Sequence, residues 1–303
     1  MNSPLPVAGP LASHLHRAEG GAIMAVASMS CVQLGLALSV HLFDRLSPQG
    51  TAALRLAWAG VLLLILVRPR RRDFTGRDLL ACGVLGVVTA GLMLFFILAV
   101  ARIPLGTASA LEFLGPLTVS VCGGGHRRWA VLAAIGVVLL TRPWNSGIDP
   151  VGFAFALAAA ACWGAYILLT QRVGDRVTGL NGLAVSIPVA GVVAMLAAGS
   201  SGLGTVTWPL LVTMLGLAAL HPVLPFSLEL LALRRLTTAA FGTLMSLEPA
   251  IALLVGLLVL GQVPGPAPAV GVIVVVIAGI GATRTGTRAQ RGSSAASAAP
   301  IVG

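Results

Sequence analysis

Residues 102–116 read Arg102-Ile-Pro-Leu-Gly-Thr-Ala-Ser-Ala-Leu-Glu-Phe-Leu-Gly-Pro116, and residues 235–249 read Arg235-Leu-Thr-Thr-Ala-Ala-Phe-Gly-Thr-Leu-Met-Ser-Leu-Glu-Pro249. Each is an apolar run entered through an arginine and interrupted by a glutamate and a proline. A shift of 133 positions lays Arg102 on Arg235, Leu111 on Leu244, Leu114 on Leu247 and Pro116 on Pro249; it also lays Gly83 on Gly216 and Ala99 on Ala232. A shift of 131 lays Gly21 on Gly152, Ala25 on Ala156, Cys31 on Cys162, Asp44 on Asp175 and Arg45 on Arg176. Single matches among Ala and Leu are cheap. The Asp-Arg pair and the Arg-to-Pro spacing carry the repeat.

Outward from these segments the chain is almost continuously apolar. Of 303 residues, 57% are hydrophobic before the 37 glycines are counted, and only 9% are charged. Soluble domains carry about 25% charged residues, so a water-soluble enzyme is the wrong class, and a polytopic membrane protein fits. A span needs about 20 apolar residues. Ten candidates follow: 21–43, 48–67, 79–100, 103–122, 128–141, 151–171, 179–198, 209–233, 237–260 and 267–283. The short fifth run also suits a re-entrant segment. Residues 1–20 lack a signal-peptide pattern and read as an N-terminal cytoplasmic segment. The Ser/Ala-rich residues 284–303 read as a disordered cytoplasmic tail.

All 19 basic residues are arginines, and the net charge is +10. Their placement suits membrane topology, not nucleic acid. With ten spans, fifteen arginines fall on one side, three (Arg45, Arg102, Arg142) on the other, and Arg55 within a span. Arginine-rich short loops face the cytoplasm, so both termini are expected inside. Five spans per repeat is an odd number, so the second copy (151–283) enters from the side opposite to the first (21–142). Inverted repeats are the architecture of secondary transporters.

Ionisable groups at membrane depth are costly and mark cavities or pathways. Glu112 lies near the middle of the fourth run and Glu248 near the middle of the ninth. Pro116 frees the carbonyl of Glu112 and Pro249 that of Met245, so each helix offers loose backbone beside a carboxylate. Two readings stand: a site for a substrate ammonium or a proton, or a pair of glutamates bonded between helices for structure. Arg55 reads as a clamp for a substrate carboxylate or a neutralising partner, against snorkelling to the surface. Glu229, one turn from the cytoplasmic end of the eighth run, reads as a proton-coupling group or an interfacial ion pair with Arg234 and Arg235. His221, in His221-Pro-Val-Leu-Pro225, reads as a proton relay or as a neutral side chain in a kinked helix. Gln33 and Tyr166 join as substrate-contact candidates; Ser30, Ser109, Trp163 and Thr243 are weaker ones that also suit helix packing. Fifteen aromatic residues furnish no cage for a bulky cation, which points to a small polar substrate.

No cofactor or metal is expected. Cys31, Cys82, Cys122 and Cys162 each sit inside an apolar run without metal-ligand spacing. There is no GxxxxGK[ST] loop and no HExxH pattern, and Gly199-Ser-Ser-Gly202 lacks the GxSxG spacing. No catalytic residue emerges, so a membrane-embedded enzyme or a non-transporting subunit is the weaker class. Transport energy would come from a gradient.

The stretch 102–116, and with it Leu224-Pro-Phe-Ser-Leu-Glu-Leu-Leu-Ala-Leu-Arg-Arg-Leu-Thr-Thr-Ala-Ala-Phe-Gly-Thr-Leu-Met-Ser-Leu-Glu-Pro249, resembles the RhtA-type threonine/homoserine exporters. These form part of the EamA branch of the drug/metabolite transporter superfamily. The resemblance spans residues 20–283. It implies ten helices in the bacterial inner membrane, a cavity between the repeats, and export of a small amino acid against inward protons. It carries Glu112, Glu229 and Glu248 as motif residues. Export of drugs or other metabolites is the alternative that the superfamily name admits. One departure is visible: many EamA repeats end the ninth span with Gly-Glu, and this chain has Gly261-Gln262.

Overall fold

The computed structural model describes residues 10–122, 127–141, 149–174, 176–177, 180–202, 207–225, 228, 232 and 244–285, and these are helical throughout, joined by short turns. In chain order the α-helices are α1 (Pro10–Val40), α2 (Pro48–Val67), α3 (Gly76–Val100), α4 (Leu105–Glu112), α5 (Leu114–Cys122) and α6 (Arg127–Thr141). They continue as α7 (Pro150–Gly174), α8 (Asn181–Gly202), α9 (Trp208–Ala218), α10 (Glu248–Leu260) and α11 (Pro266–Thr285).

The starts follow local chemistry. Ser47 Oγ accepts from the Gly50 N–H at 3.0 Å, and Pro48 opens α2 where no N–H is needed. Thr75 and Asp78 form a reciprocal capping box at α3. Asp149 Oδ1 accepts from the N–H groups of Val151 and Gly152 at 2.9 and 3.1 Å and so caps α7. Gly261 ends α10 with a left-handed φ of 64°.

Five helical segments are long and apolar enough to cross a membrane: Glu19–Val40, Pro48–Val67, Gly76–Val100, Pro150–Gly174 and Asn181–Gly199. The outward surface is correspondingly apolar, with Ile23, Leu66, Leu196 and Leu258 exposed. Bilayer, not water, suits such a surface.

Four runs differ from their reading as uninterrupted spans. The first, read as 21–43, forms a helix from Pro10 to Val40. Four-residue turns, in which the Leu42 and Phe43 N–H groups donate to the Ser39 and Val40 carbonyls, already bend the chain toward the Ser47 cap. The fourth, read as 103–122, is two helices that break at Phe113, where Pro116 lacks the N–H that would bond the Glu112 carbonyl. The eighth, read as 209–233, leaves α-geometry after Ala218. A π-type turn covers Ala219–Val223, and His221 has extended φ/ψ of −154° and 112° before a cis Pro222. In the ninth, Leu244 and Met245 are helical, Ser246 and Leu247 form a turn, and α10 begins at Glu248 with Pro249 in its first turn. At about 1.5 Å per residue, the 15-residue α6 spans roughly 22 Å.

Packing places α2 against α8 and α9, α3 against α7 and α8, and α4 against α7 and α10. Helix α1 lies on α10 and on the 219–223 turn, and α6 lies on α11. The central apolar cluster joins Leu36, Leu92, Phe96, Leu105, Leu111, Ala156 and Val255. Where α4 crosses α10, a Cβ on Gly106 would come within 2.8 Å of the Leu253 Cα, so only glycine permits the approach.

Candidate functional site

The breaks in these helices converge. Glu112 is the last residue of α4 and Glu248 the first of α10. Both border one cavity of about 140 Å³, together with Gln33, Thr89, Tyr166 and His221. Leu92, Phe96, Trp163 and Met245 form much of its apolar wall. Glu112 and Glu248 are 7% and 6% exposed, and each lies within the other's electrostatic reach. Phe113, at the α4–α5 break, packs edge-on against Trp163 with ring centres 6.2 Å apart, which holds the break beside the cavity.

Gln33 is fully buried on α1, and its Nε2 donates to Glu248 Oε1 at 3.2 Å. Its Oε1 has no hydrogen-bond partner among the described residues, and neither has His221 Nδ1. Thr89 Oγ1 spends its proton on the Leu85 carbonyl at 2.7 Å.

Arg55 lies just behind this wall. It is 1% exposed, so its guanidinium does not snorkel. It donates to Ser39 Oγ at 3.2 Å and points Nη2 at Met93 Sδ at 3.8 Å. Met93 and His221 both line the cavity, and His221 lies near the Arg55 charge. Among the described residues Arg55 has no carboxylate partner. A buried cation without a counter-ion is costly, and an anionic ligand would relieve that cost.

The structure therefore brings Glu112, Glu248, Gln33, Tyr166 and His221 to one cavity and sets Arg55 beside it. Glu229 and Thr243 lie outside the described residues. Ser30 donates to the Val26 carbonyl of its own helix at 2.8 Å, as packing residues do. Ser109 is buried, its Oγ has no partner among the described residues, and it lies away from the cavity lining. Sequence reasoning missed Ser39, whose signal was a lone hydroxyl in an apolar run sixteen positions before Arg55. It also missed Leu92, Met93, Phe96 and Met245, which carry no signal that separates a cavity wall from lipid-facing surface.

Two polar contacts sit away from the cavity. Arg102 Nη1 donates to Asp149 Oδ2 at 3.1 Å, which ties the α3–α4 turn to the start of α7. The Gly152 N–H, with the Arg102 side chain next, holds the Asp149 carboxyl below the usual carboxylate range. Gln262 Oε1 accepts from the Leu105 N–H at 2.9 Å and so caps α4, whose own N-cap is a proline. A groove of about 410 Å³ between α2 and α8 is lined by Ala57, Gly60, Val61, Pro188, Gly191 and similar residues, with no ionisable group.

Comparison with known proteins agrees with this architecture. The chain is 36% identical over 272 residues to the threonine/homoserine exporter RhtA of Escherichia coli K12, covering 87% of this chain and 91% of that protein. It is 38% identical over 243 residues to the threonine/homoserine exporter RhtA of Salmonella typhimurium LT2, covering 78% and 81%. One solved crystal structure superposes with a TM-score of 0.59 at 16% identity, over 88% of this chain and 98% of that one, a likeness of fold alone. The EamA-like transporter family matches residues 19–141 and again 150–284. This chain belongs to that family, a family of transporters and not of enzymes.

Proposed function

We propose that this protein exports a small polar amino acid of the threonine/homoserine kind across the bacterial inner membrane, by proton antiport with alternating access. The observation that carries the reading is the charge arrangement of the cavity: two buried carboxylates on interrupted helices, and beside them an enclosed arginine without a counter-ion among the described residues. A zwitterion matches both. Its ammonium satisfies Glu112 and Glu248, and its carboxylate reaches toward Arg55. In its absence a proton relieves the repulsion of the two carboxylates. Proton and ammonium thus compete for one site, and competition is what antiport requires. Proton entry from outside would release the substrate outward. His221 and Glu229 complete the proton route in this reading.

The cavity volume of about 140 Å³ supports a small substrate, since drug-sized ligands occupy roughly 300–1,000 Å³. The 36–38% identity to exporters named for threonine and homoserine supports the substrate class and the direction.

The packing supports ten spans in two inverted five-helix repeats, 21–142 and 151–283, with the ends 1–20 and 284–303 cytoplasmic. In this reading α4 and α5 together form the fourth span, so α7 to α11 stand for the sixth to tenth. Exchanging each span for the one five later maps several of these contacts onto one another, although α3–α7 is far more extensive than its counterpart α1–α9. The pairs α2–α8, α4–α10 and α6–α11 map to themselves; α3–α8 maps to α2–α9, and α1–α10 to α4–α7. Such symmetry suits rocking of one repeat against the other around a central site.

Adding threonine to purified protein in weakly buffered detergent solution should release protons, read with a pH dye. Glu112→Gln should bind threonine without that release. Binding to wild-type protein without proton release would contradict the shared site.

A further inference from the structure

Gln33 offers the cavity something that the charge arrangement leaves unused. Its side chain is wholly enclosed and borders the cavity. Its Nε2 is committed to Glu248 Oε1 at 3.2 Å. While Glu248 is ionised, as it is with the substrate ammonium bound, its oxygens only accept, so the amide turns its nitrogen to Glu248 and its oxygen away. That oxygen has no donor among the described residues. The nearby Thr89 hydroxyl has given its proton to Leu85, and Leu36, Leu92 and Phe96 are apolar. A buried carbonyl oxygen without a donor is a standing penalty, and a ligand that brings a donor to it removes that penalty.

We propose that Gln33 is the specificity-determining residue that selects a hydroxyl-bearing side chain. This rests on the amino-acid reading above and adds to it. The ammonium goes to the carboxylates and the carboxylate toward Arg55, so the donor left for Gln33 is one on the side chain. Threonine and homoserine supply a hydroxyl. Valine and norvaline have the same shape with a methyl in its place, and they leave the Gln33 oxygen bare. A site built to bond a hydroxyl rejects the analogue without it far more strongly than an apolar pocket rejects one extra methyl. Glu248 acts twice here, as ligand to the ammonium and as the group that fixes the orientation of the amide.

The test is counterflow in proteoliposomes, with labelled threonine and valine compared as substrates of wild-type protein and of Gln33→Leu. Wild-type protein should prefer threonine by more than about a hundredfold in kcat/KM. Gln33→Leu should bring the ratio near one, mainly by lowering threonine, while valine transport persists and shows a folded protein. Equal transport of threonine and valine by wild-type protein overturns the proposal and leaves the amino-acid exporter intact. Equal loss of both in Gln33→Leu also overturns it, because the amide would then serve the ammonium or Glu248 alone. Transport of no amino acid by wild-type protein overturns the underlying reading itself. Should Gln33→Leu fail to assemble, Gln33→Asn withdraws the oxygen by one methylene. It should lower threonine selectively, and an unchanged threonine-to-valine ratio would contradict the proposal.

Discussion

Arg55 is closed off from both water and lipid, and its guanidinium meets one hydroxyl and one thioether. Five N–H donors in a planar fork are poorly used by such neighbours. Ser39 itself donates to the Gly35 carbonyl at 2.6 Å, so the cation leans on a hydroxyl oxygen already fixed by its helix. A guanidinium held in this way, with its geometry fixed before any ligand arrives, suits the proposed contact with a substrate carboxylate. Arg55→Gln should therefore raise the KM for threonine by about ten- to a hundredfold, the size of a lost charge-assisted hydrogen bond. Initial-rate transport at varied threonine checks this, and an unchanged KM would remove Arg55 from the substrate's reach. The sequence marks Arg55 as unusual because it stands alone within an apolar run. It cannot tell a clamp from a snorkelling side chain, because that choice depends on the α1 and α3 neighbours that enclose it.

The elements are interrupted where the chemistry sits. Pro116 and Pro249 each remove one helical hydrogen bond, and in each case a glutamate stands at a helix end beside the gap. Unpaired backbone is tolerated at membrane depth where it lines a cavity. These breaks are held in register by close helix contact. Gly106 lets α4 lie against the α10 backbone, and Gln262 ties the start of α4 to the residues just after α10. Gly106→Val would force the two helices apart and with them the two glutamates. Transport should fall by at least about tenfold, since a misplacement of about 1 Å in a site costs up to a hundredfold. The protein should still be recovered as a folded species by size-exclusion chromatography. Full transport by Gly106→Val would show that the α4–α10 spacing does not matter. Both prolines and both glutamates are legible in the sequence, and so is the interruption they cause. The convergence of the breaks on one cavity is not, since it is set by which helices pack together. The role of Gln262 was equally hidden. Its side chain looked like a lost acid and instead caps a helix 157 positions away in the chain.

On the scale of the whole molecule, the composition already points to a polytopic membrane protein, and the arginine bias gives an expected orientation. The repeat pairs each span with the one five later, and the α2–α8, α4–α10 and α6–α11 contacts map to themselves under that exchange. In the proposed inverted-repeat arrangement the α4–α10 crossing, with the carboxylates beside it, is a contact that maps to itself. What the sequence lacked was the wall of the cavity, built from Leu, Met and Phe side chains that look the same whether they face lipid or substrate. Purified protein in liposomes loaded with labelled threonine, with the compartment corresponding to the cell exterior made acidic, tests the central claim most directly. The account predicts rapid loss of threonine into the acidic compartment that collapses when the gradient is dissipated, and no such acceleration in Glu112→Gln. Gradient-driven loss of the same size in Glu112→Gln would contradict it.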